Sequence, residues 1–381
     1  MSQSVQGKLS RIVDSLETTF VERDEVARGI AAALIARQHC FFLGPPGTAK
    51  SALCKETAQA VQGADYFETL LTKFTTPEEV FGPVSLKGLE NDRYERITAG
   101  KLPTAHLAFI DEVWKASSAI LNSLLTIANE RLFQNGNGRF QGVPLMTMLA
   151  ASNELPESEE LNALYDRFML RYVVDYVAED GNFKKMLQAS ATTAVQAITL
   201  PELEQAQRES AALPMPDRVY DAMLTIRKRL KEEGIIPSDR RFRQSLETVK
   251  ANSYLNGNTS SPVSEDDLSI LQHVLWNEPA QVPVVKKIVL EITSPYEGKA
   301  LELYDQASEI YQNTMSEQDA NKKCNLAVEA NAKLKKLLAS LNDIITDIKT
   351  RGRDTSRIEK YKDKVDEMNK KILKDCLGLG A

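Results

Sequence analysis

Histidine is scarce, with three residues in 381, and the four cysteines (Cys40, Cys54, Cys324, Cys376) are scattered without metal-ligand spacing. That excludes a Cys/His zinc site and predicts free, buried thiols in a reducing compartment. No apolar run approaches the ~20 residues of a membrane-spanning helix, and residues 1–7 are polar rather than a signal sequence. A soluble, cytoplasmic protein without a membrane span is expected. Nor is there a basic excess. The chain carries 47 basic and 53 acidic residues, a formal charge of −6, which speaks against a dedicated nucleic-acid binder. Its length suffices for two or three domains with real cores.

What is present begins with an apolar run, residues 40–43, that reads as a short buried strand. It turns through Gly44-Pro45-Pro46-Gly47-Thr48-Ala49 into a helical pattern starting near Lys50-Ser51-Ala52. Strand, glycine-containing loop and helix in this order make a phosphate cradle. Backbone N–H groups wrap the phosphates, and the helix N-terminus turns its positive end toward them. Lys50 is expected to reach the β- and γ-phosphates of ATP, and the Ser51 hydroxyl to hold Mg²⁺. The usual pattern has glycine immediately before the lysine. Here Ala49 stands there, and alanine takes glycine's conformations less freely.

The leader, residues 8–38, carries two helical stripes: Leu9, Ile12, Leu16 and Phe20, then Val26, Ile30, Leu34 and Ile35. Packing accounts for this leader, and the loop between the stripes, Val21-Glu22-Arg23-Asp24, could also cover an adenine. Residues 50–62 read as a helix and residues 66–71 as a second strand. Residues 74–82 start a short capped helix with Pro77 in its first turn. The polar residues 83–100 read as an exposed insertion.

The second landmark is His106-Leu107-Ala108-Phe109-Ile110-Asp111-Glu112. A strand that is apolar to its end and then shows two acids aims carboxylates at a site; a helix cap needs only one. Asp111 is expected to bind Mg²⁺ through water, and Glu112 to orient and deprotonate the attacking water. Asn-Gly pairs within residues 133–140 predict a hairpin. Another apolar strand, residues 145–151, ends in Ser152-Asn153. Asn153 can hydrogen-bond a γ-phosphate or the lytic water, and turn chemistry explains it equally well. Two arginines, Arg167 and Arg171, stand just before a further strand. Strand–helix alternation to about residue 175 predicts an α/β sheet with helices on both faces, with the site residues at strand C-terminal ends.

Beyond residue 190 the pattern is helical. Residues 191–280 read as a small all-α lid whose last helix carries Leu268, Leu271, Val274 and Leu275. Residues 281–297 read as a linker. Three helices follow. The longest has a seam of Ala320, Cys324, Ala327, Leu334, Leu338, Leu341, Ile345 and Ile348, with Asn331 as its one polar position. Arg351-Gly352-Arg353-Asp354 breaks it, Ser356 and Glu359 are placed as a capping box, and Ile358, Tyr361, Val365, Met368 and Ile372 form the next seam. Short connections predict an antiparallel bundle. The division expected is therefore 1–190, 191–280 and 281–381.

The runs Gly44-Pro-Pro-Gly-Thr-Ala-Lys-Ser51, Phe74-Thr-Thr-Pro-Glu-Glu-Val-Phe-Gly-Pro83, Ile110-Asp-Glu-Val-Trp-Lys115, Asn129-Glu-Arg131, Ala151-Ser-Asn-Glu-Leu-Pro156, Ala163-Leu-Tyr-Asp-Arg-Phe168 and Ser238-Asp-Arg-Arg-Phe242 carry a family resemblance. Over residues 5–280 the chain resembles a MoxR-family AAA+ ATPase, in particular the RavA-like (regulatory ATPase variant A-like) subgroup, which shares Ala49. The resemblance implies a P-loop sheet sandwiched by helices, an all-α lid, and a ring homo-oligomer, usually a hexamer, with Mg-ATP between subunits. It implies that Asn153 is sensor 1, that Arg167 is an arginine finger for the neighbour's γ-phosphate with Arg171 as the alternative, and that Arg240, or its neighbour Arg241, is sensor 2. Residues 83–100 and 133–145 match the family's two inserts, which would face the ring's channel. It further implies chaperone-like remodelling or maturation of a client protein, together with a von Willebrand factor A-domain partner. The β-rich domain that the subgroup inserts into its triple-helical domain has no counterpart between these short turns, which puts a lysine decarboxylase partner in doubt. Two rival readings are a nucleotide-gated scaffold recruiting its partner through the tail and a nucleic-acid motor.

Overall fold

The computed structural model describes residues 4–136, 138–188, 197–350 and 355–378. It forms two compact units, one of Met1–Met223 with Lys231–Val282, the other of Leu224–Leu230 with Pro283–Ala381.

The first unit is built on a five-stranded parallel sheet: β1 (His39–Leu43), β2 (Tyr66–Leu70), β3 (Leu107–Asp111), β4 (Thr147–Ser152) and β5 (Phe168–Val173), in the spatial order β2-β3-β4-β1-β5. Every residue of β1 and β4 is buried, because helices cover both faces and leave no alternation of polar and apolar positions. The leader folds as α1 (Val5–Thr19) and α2 (Asp24–Ala36). The alanine-rich α2 lies so close to the sheet that a Cβ at Gly29 would meet the Tyr172 hydroxyl at 1.7 Å. Helix α3 (Lys50–Gln59) follows the phosphate loop. It is shorter than the expected 50–62: Val61–Gln62 pair as a strand with Ile198–Thr199, and Gly63 (φ 86°) turns the chain away. Helix α4 (Ser118–Glu130) packs Ile120, Leu124 and Ile127 under β3 and β4. Helix α5 (Asp180–Gln188) follows β5.

The expected hairpin is present as Leu132–Gln134 paired with Phe140–Gly142; Asn137, one of its turn residues, lies outside the described residues. It is tied to the polar insertion. Asn135 accepts from the Arg96 N–H at 2.7 Å and donates to the Arg96 carbonyl, and a Cβ at Gly136 would meet the Tyr94 carbonyl at 1.4 Å. Helices α6 (Leu200–Ala211) and α7 (Asp239–Leu255) belong to the same unit. The stretch expected as a last lid helix is instead a 3₁₀ run, Asp266–His273. Asp267 through Gln272 are all buried, so the segment is covered all round rather than along one α-helical stripe. The buried Asp267 carboxylate accepts from both the N–H and the hydroxyl of Ser264, which tightens its first turn.

In the second unit, the expected linker is largely a helix, α8 (Val282–Thr293). Its Val285, Ile288 and Val289 are spaced to bury one face, and Pro283 is tolerated in a first turn. Gly298, in α9 (Pro295–Ser316), lets that helix cross the backbone of Glu291, 3.2 Å from where a Cβ would sit. Helices α9, α10 (Ala320–Thr350) and α11 (Ser356–Leu377) form a three-helix bundle. Tyr304 meets Tyr361, and Met315 meets Cys376, so α9 and α11 run the same way with α10 antiparallel to both. The α10 seam buries Ala327, Leu334, Leu341, Ile345 and Ile348, with Asn331 half-buried among them. Cys324, expected in that seam, is exposed. Glu359 pairs with Thr355 at 3.0 Å and with Lys349 at 2.7 Å, which places its partner one residue before the Ser356 of the expected box. The break at Arg351-Gly352-Arg353-Asp354 lies outside the described residues.

At the amino end of β1, His39 is a buried polar residue. Its Nδ1 lies 2.9 Å from the Met148 N, and its Nε2 lies 3.0 Å from the Ala128 carbonyl and 2.6 Å from Arg131 Nη1. Burial, then the nearby Arg131 guanidinium, hold its pKa well below the usual histidine value. The folded chain therefore keeps His39 neutral while the unfolded chain protonates it near pH 6.5, so its contribution to stability is present above that pH and lost below it. Urea unfolding is expected to show stability falling by up to about 1.4 kcal/mol per pH unit below pH 6.5, with a shallower slope in His39→Asn.

Candidate functional site

Parallel pairing brings one set of predicted residues to the carboxyl end of the sheet. Leu43 lies opposite Ser152 and Val173, Leu70 opposite Asp111, and Ile110 opposite Ala150. Gly44, Asp111, Glu112 and Asn153 are the residues at or just beyond these strand ends. Gly44 donates to the Ser152 carbonyl at 3.0 Å, and a Cβ on it would strike the Val174 carbonyl at 1.9 Å, so only glycine passes there. Pro45 is half-buried; Pro46, Gly47, Ala49, Ser51 and Ala52 are exposed. Among the described residues, the amides of Gly47, Thr48, Ala49, Lys50 and Ser51 donate to no backbone carbonyl. Together with the first turn of α3 they form a concave set of unused donors, the chemistry a polyphosphate requires.

Lys50 folds over this loop. Its Nζ donates to the carbonyls of Gly44 (2.8 Å) and Pro45 (2.7 Å) and to Thr48 Oγ1 (3.1 Å). Burial lowers its pKa, opposed by the negative charges of Asp111 and Glu112. Those three charges therefore share one site. Glu112 has a left-handed backbone (φ 53°), its N–H donates to Asp111 Oδ1 at 3.0 Å, and its carboxylate pairs with Lys115 at 3.0 Å. The Ser51 hydroxyl and the Asp111 carboxylate are hard oxygen donors of the kind Mg²⁺ takes when it keeps most of its waters.

Ala49 also adopts the left-handed conformation (φ 63°, ψ 19°), which costs a side-chain-bearing residue about 1–2 kcal/mol. Ala49→Gly is expected to stabilise the nucleotide-free protein by about 1 kcal/mol, read as a higher denaturation midpoint at unchanged m-value.

Two residues of the leader loop make contacts that the sequence reading did not assign. Arg23, 8 % exposed, donates to carbonyls on three segments: Glu22 at 2.8 Å, Thr48 of the phosphate loop at 3.3 Å, and Asp175. With Val26, Phe42, Leu53 and Val174 it lines a small apolar cavity behind Thr48-Ala49-Lys50. Glu22, itself left-handed (φ 58°), accepts from the N–H groups of Ala178 and Glu179 and from Asn182. It thereby fastens the start of α5 beside the loop. The sequence named this stretch as a loop between two helical stripes that could cover an adenine, but gave Glu22 and Arg23 no partners.

The arginines lie elsewhere. Phe168 pairs with His39, so Arg167 precedes the amino end of β5. The length of a strand, about 13 Å for four residue steps, separates it from the phosphate loop. Its side chain is 14 % exposed, 3.7 Å from Asp166. Burial, then the positive charge of Arg240, lower its pKa; Arg167 and the exposed Arg240 are thus neighbours. Arg171 and Arg241 are structural. Arg171, 1 % exposed, donates to the Trp276 carbonyl (2.6 Å), Asn277 Oδ1 (2.8 Å) and the Tyr165 carbonyl (3.1 Å), and stacks 3.7 Å over the Tyr165 ring. Arg241, also 1 % exposed, donates to the carbonyls of Met169, Val274, Asp166 and Phe168. Of each pair left open by the sequence, Arg167 and Arg240 are the ones not committed to holding the fold.

The strand order, the phosphate loop after β1, which lies between β4 and the outer strand β5, and the acidic pair after the strand two places away in the sheet are those of an AAA+ ATPase. The family described as the MoxR domain in the MoxR-vWA-beta-propeller ternary systems matches residues 7–210, and an AAA lid domain matches residues 218–289. An uncharacterised protein of Methanocaldococcus jannaschii, MJ0079, is 36 % identical over 97 % of both chains, and a second, MJ0812, is 42 % identical over 77 % of this chain and 78 % of its own. The crystal structure of a proposed ATPase from Cytophaga hutchinsonii superposes with a TM-score of 0.59 at 15 % identity, over 76 % of this chain and 94 % of that one. The chain belongs to the MoxR family of AAA+ ATPases. Among the described residues, no helix is long and apolar enough to cross a membrane.

Proposed function

We propose that the protein hydrolyses ATP at a site shared between two copies of the chain. The observation that carries this is the separation of the predicted site residues: Lys50, Asp111 and Glu112 at one end of the sheet, Arg167 and Arg240 at the other. An arginine more than a strand's length from the phosphate loop of its own chain serves catalysis only from a neighbour.

In this reading, the amides of Gly47 to Ser51 and the Lys50 ammonium bind the β- and γ-phosphates of ATP. Ser51 and Asp111 would hold Mg²⁺, which neutralises phosphate charge when bound. Glu112 takes the proton from the attacking water, and Asn153 orients that water. Arg167 of the neighbour stabilises charge on the transferring phosphoryl group, with Arg240 beside it. Nucleotide exchange for the Gly44 and Pro45 carbonyls on Lys50 is a ready switch between empty and loaded loops.

The wider role we infer is remodelling or maturation of a partner protein by a ring, usually a hexamer in this family. The family's description, from MoxR-vWA-beta-propeller ternary systems, supports a von Willebrand factor A-domain partner and a β-propeller partner; the client is of unknown identity. The RavA-like assignment rests on the motif runs, and ATP with Mg²⁺ on the chemistry of the loop. Activity in the cytoplasm follows from the same reading. Turnover measured against protein concentration, with mass measured alongside, tests the shared site: the specific rate should rise with assembly. A specific rate independent of concentration, in a protein shown to stay monomeric, would overturn it.

A further inference from the structure

Ala49 stands where the usual phosphate loop has glycine, and its backbone is left-handed (φ 63°, ψ 19°). A side chain makes that conformation unfavourable. The strain has a ready escape. Turning over the single peptide between Thr48 and Ala49 changes ψ of the one and φ of the other, and so takes Ala49 out of the left-handed region. The site would suffer for it. The Ala49 N–H is one of the unused donors of the loop, and turned over it would point away from the phosphates.

What resists the turn is on the other side of the same peptide. The carbonyl and the N–H of a trans peptide point in opposite directions. The Thr48 carbonyl accepts from Arg23 Nε at 3.3 Å, and among the described residues no backbone N–H reaches it. Arg23 is buried and is not free to follow the loop. Its other nitrogens donate to the carbonyls of Glu22, at 2.8 Å, and Asp175, and it packs with Val26, Phe42, Leu53 and Val174 around the cavity behind the loop. A fixed cation on the inner, carbonyl side leaves the Ala49 N–H facing the outer side, where Ala49 is exposed.

We propose that Arg23 is a positioning residue for phosphate binding: it holds the Thr48–Ala49 peptide in the orientation that offers the Ala49 N–H to the phosphates, and the chain needs this hold because residue 49 is alanine. The inference rests on the reading of residues 44–51 as the phosphate site. It differs from two blander roles. An arginine that only braces the fold, or only attracts phosphate by its charge, acts equally whatever stands at position 49. One that holds a strained peptide acts through the strain. Glycine takes both orientations freely, so Ala49→Gly removes most of the need for the hold.

The test is a cycle of four full-length chains: wild type, Arg23→Met, Ala49→Gly and the double variant. Mg-ADP affinity is read by titration calorimetry, and circular dichroism with the unfolding midpoint checks the fold. With Ala49 in place, Arg23→Met is expected to weaken ADP binding about 5–30-fold, the factor by which the left-handed strain favours the turned peptide. In the Ala49→Gly background the same change should cost about twofold, because unheld glycine divides itself between two orientations. Should Arg23→Met fail to fold, Arg23→Gln takes its place in the cycle; its two N–H donors share one nitrogen and cannot span three segments. The loss should again be several times larger with Ala49 than in Ala49→Gly. Equal losses in the two backgrounds overturn the inference and leave the phosphate site standing. A wild-type chain that binds no Mg-ADP, or a Lys50→Ala variant that binds it as tightly as wild type, overturns the phosphate site and the inference with it.

Discussion

Arg167→Ala is expected to lower ATP turnover by about 10³–10⁵-fold, the range over which a trans-acting arginine serves phosphoryl transfer, while rings still form. The size of the effect follows from where the charge sits. The guanidinium is half-buried, held near Asp166 and crowded by Arg240. It is therefore already partly desolvated and fixed before it meets a phosphate, and an electrostatic group that needs no reorganisation acts with most of its force. Loss of folding is not the expected cause of the drop. The Arg167 guanidinium lies 3.7 Å from Asp166, whereas those of Arg171 and Arg241 donate to backbone carbonyls that hold the lid-side segments. Arg241→Ala is the informative contrast: it should lose stability by several kcal/mol, as removal of a buried, multiply bonded charge does, and its effect should appear as a lower unfolding midpoint.

Glu112→Gln is expected to retain ATP binding and lose turnover by about 10²–10⁴-fold, the usual share of a general base. The substitution keeps size and leaves the Asp111 contact to the Glu112 N–H intact, since that bond is to the backbone. It removes the charge that pairs with Lys115 at 3.0 Å. Lys115 is a surface side chain, and such a pair contributes little to stability, so the unfolding midpoint should barely move. A variant that still turns ATP over at the wild-type rate removes Glu112 from the mechanism. Lys50→Ala should differ in kind, because it removes the cation that faces the phosphates: binding of ATP itself should weaken.

Much of the α/β unit was legible because burial on both faces writes itself as unbroken apolar runs, and each run that ends in Gly44, Asp111-Glu112 or Asn153 ends at the same edge of the sheet. Periodicity also found the α9–α11 bundle, where the seams of Leu334, Leu341 and Ile345 and of Ile358, Val365 and Ile372 are buried. It failed where burial is not periodic. The Asp266–His273 stretch is covered on all sides, and Cys324 fits the spacing of the α10 seam yet is exposed. Prolines at 283 and 295 suggested a linker because proline ends helices more often than it starts them; here each stands in the first turn of one. Arg23 was invisible for a different reason. Its partners are backbone carbonyls on three segments far apart in the chain, and no side-chain pattern records a bond to a carbonyl. The backbone carbonyls that engage Arg171 and Arg241 were likewise invisible in the sequence.

The shared site is tested most directly by mixing two inactive variants, Arg167→Ala and Glu112→Gln, in equal amounts and measuring ATP turnover. Each alone lacks one half of every site. In mixed rings, an Arg167→Ala subunit brings an intact Lys50–Asp111–Glu112 cluster to the Arg167 of a Glu112→Gln neighbour, so about a quarter of randomly paired sites should be whole and turnover should return. A mixture that stays as inactive as its parts, although mass measurement shows the two variants in the same rings, would contradict a site shared between subunits.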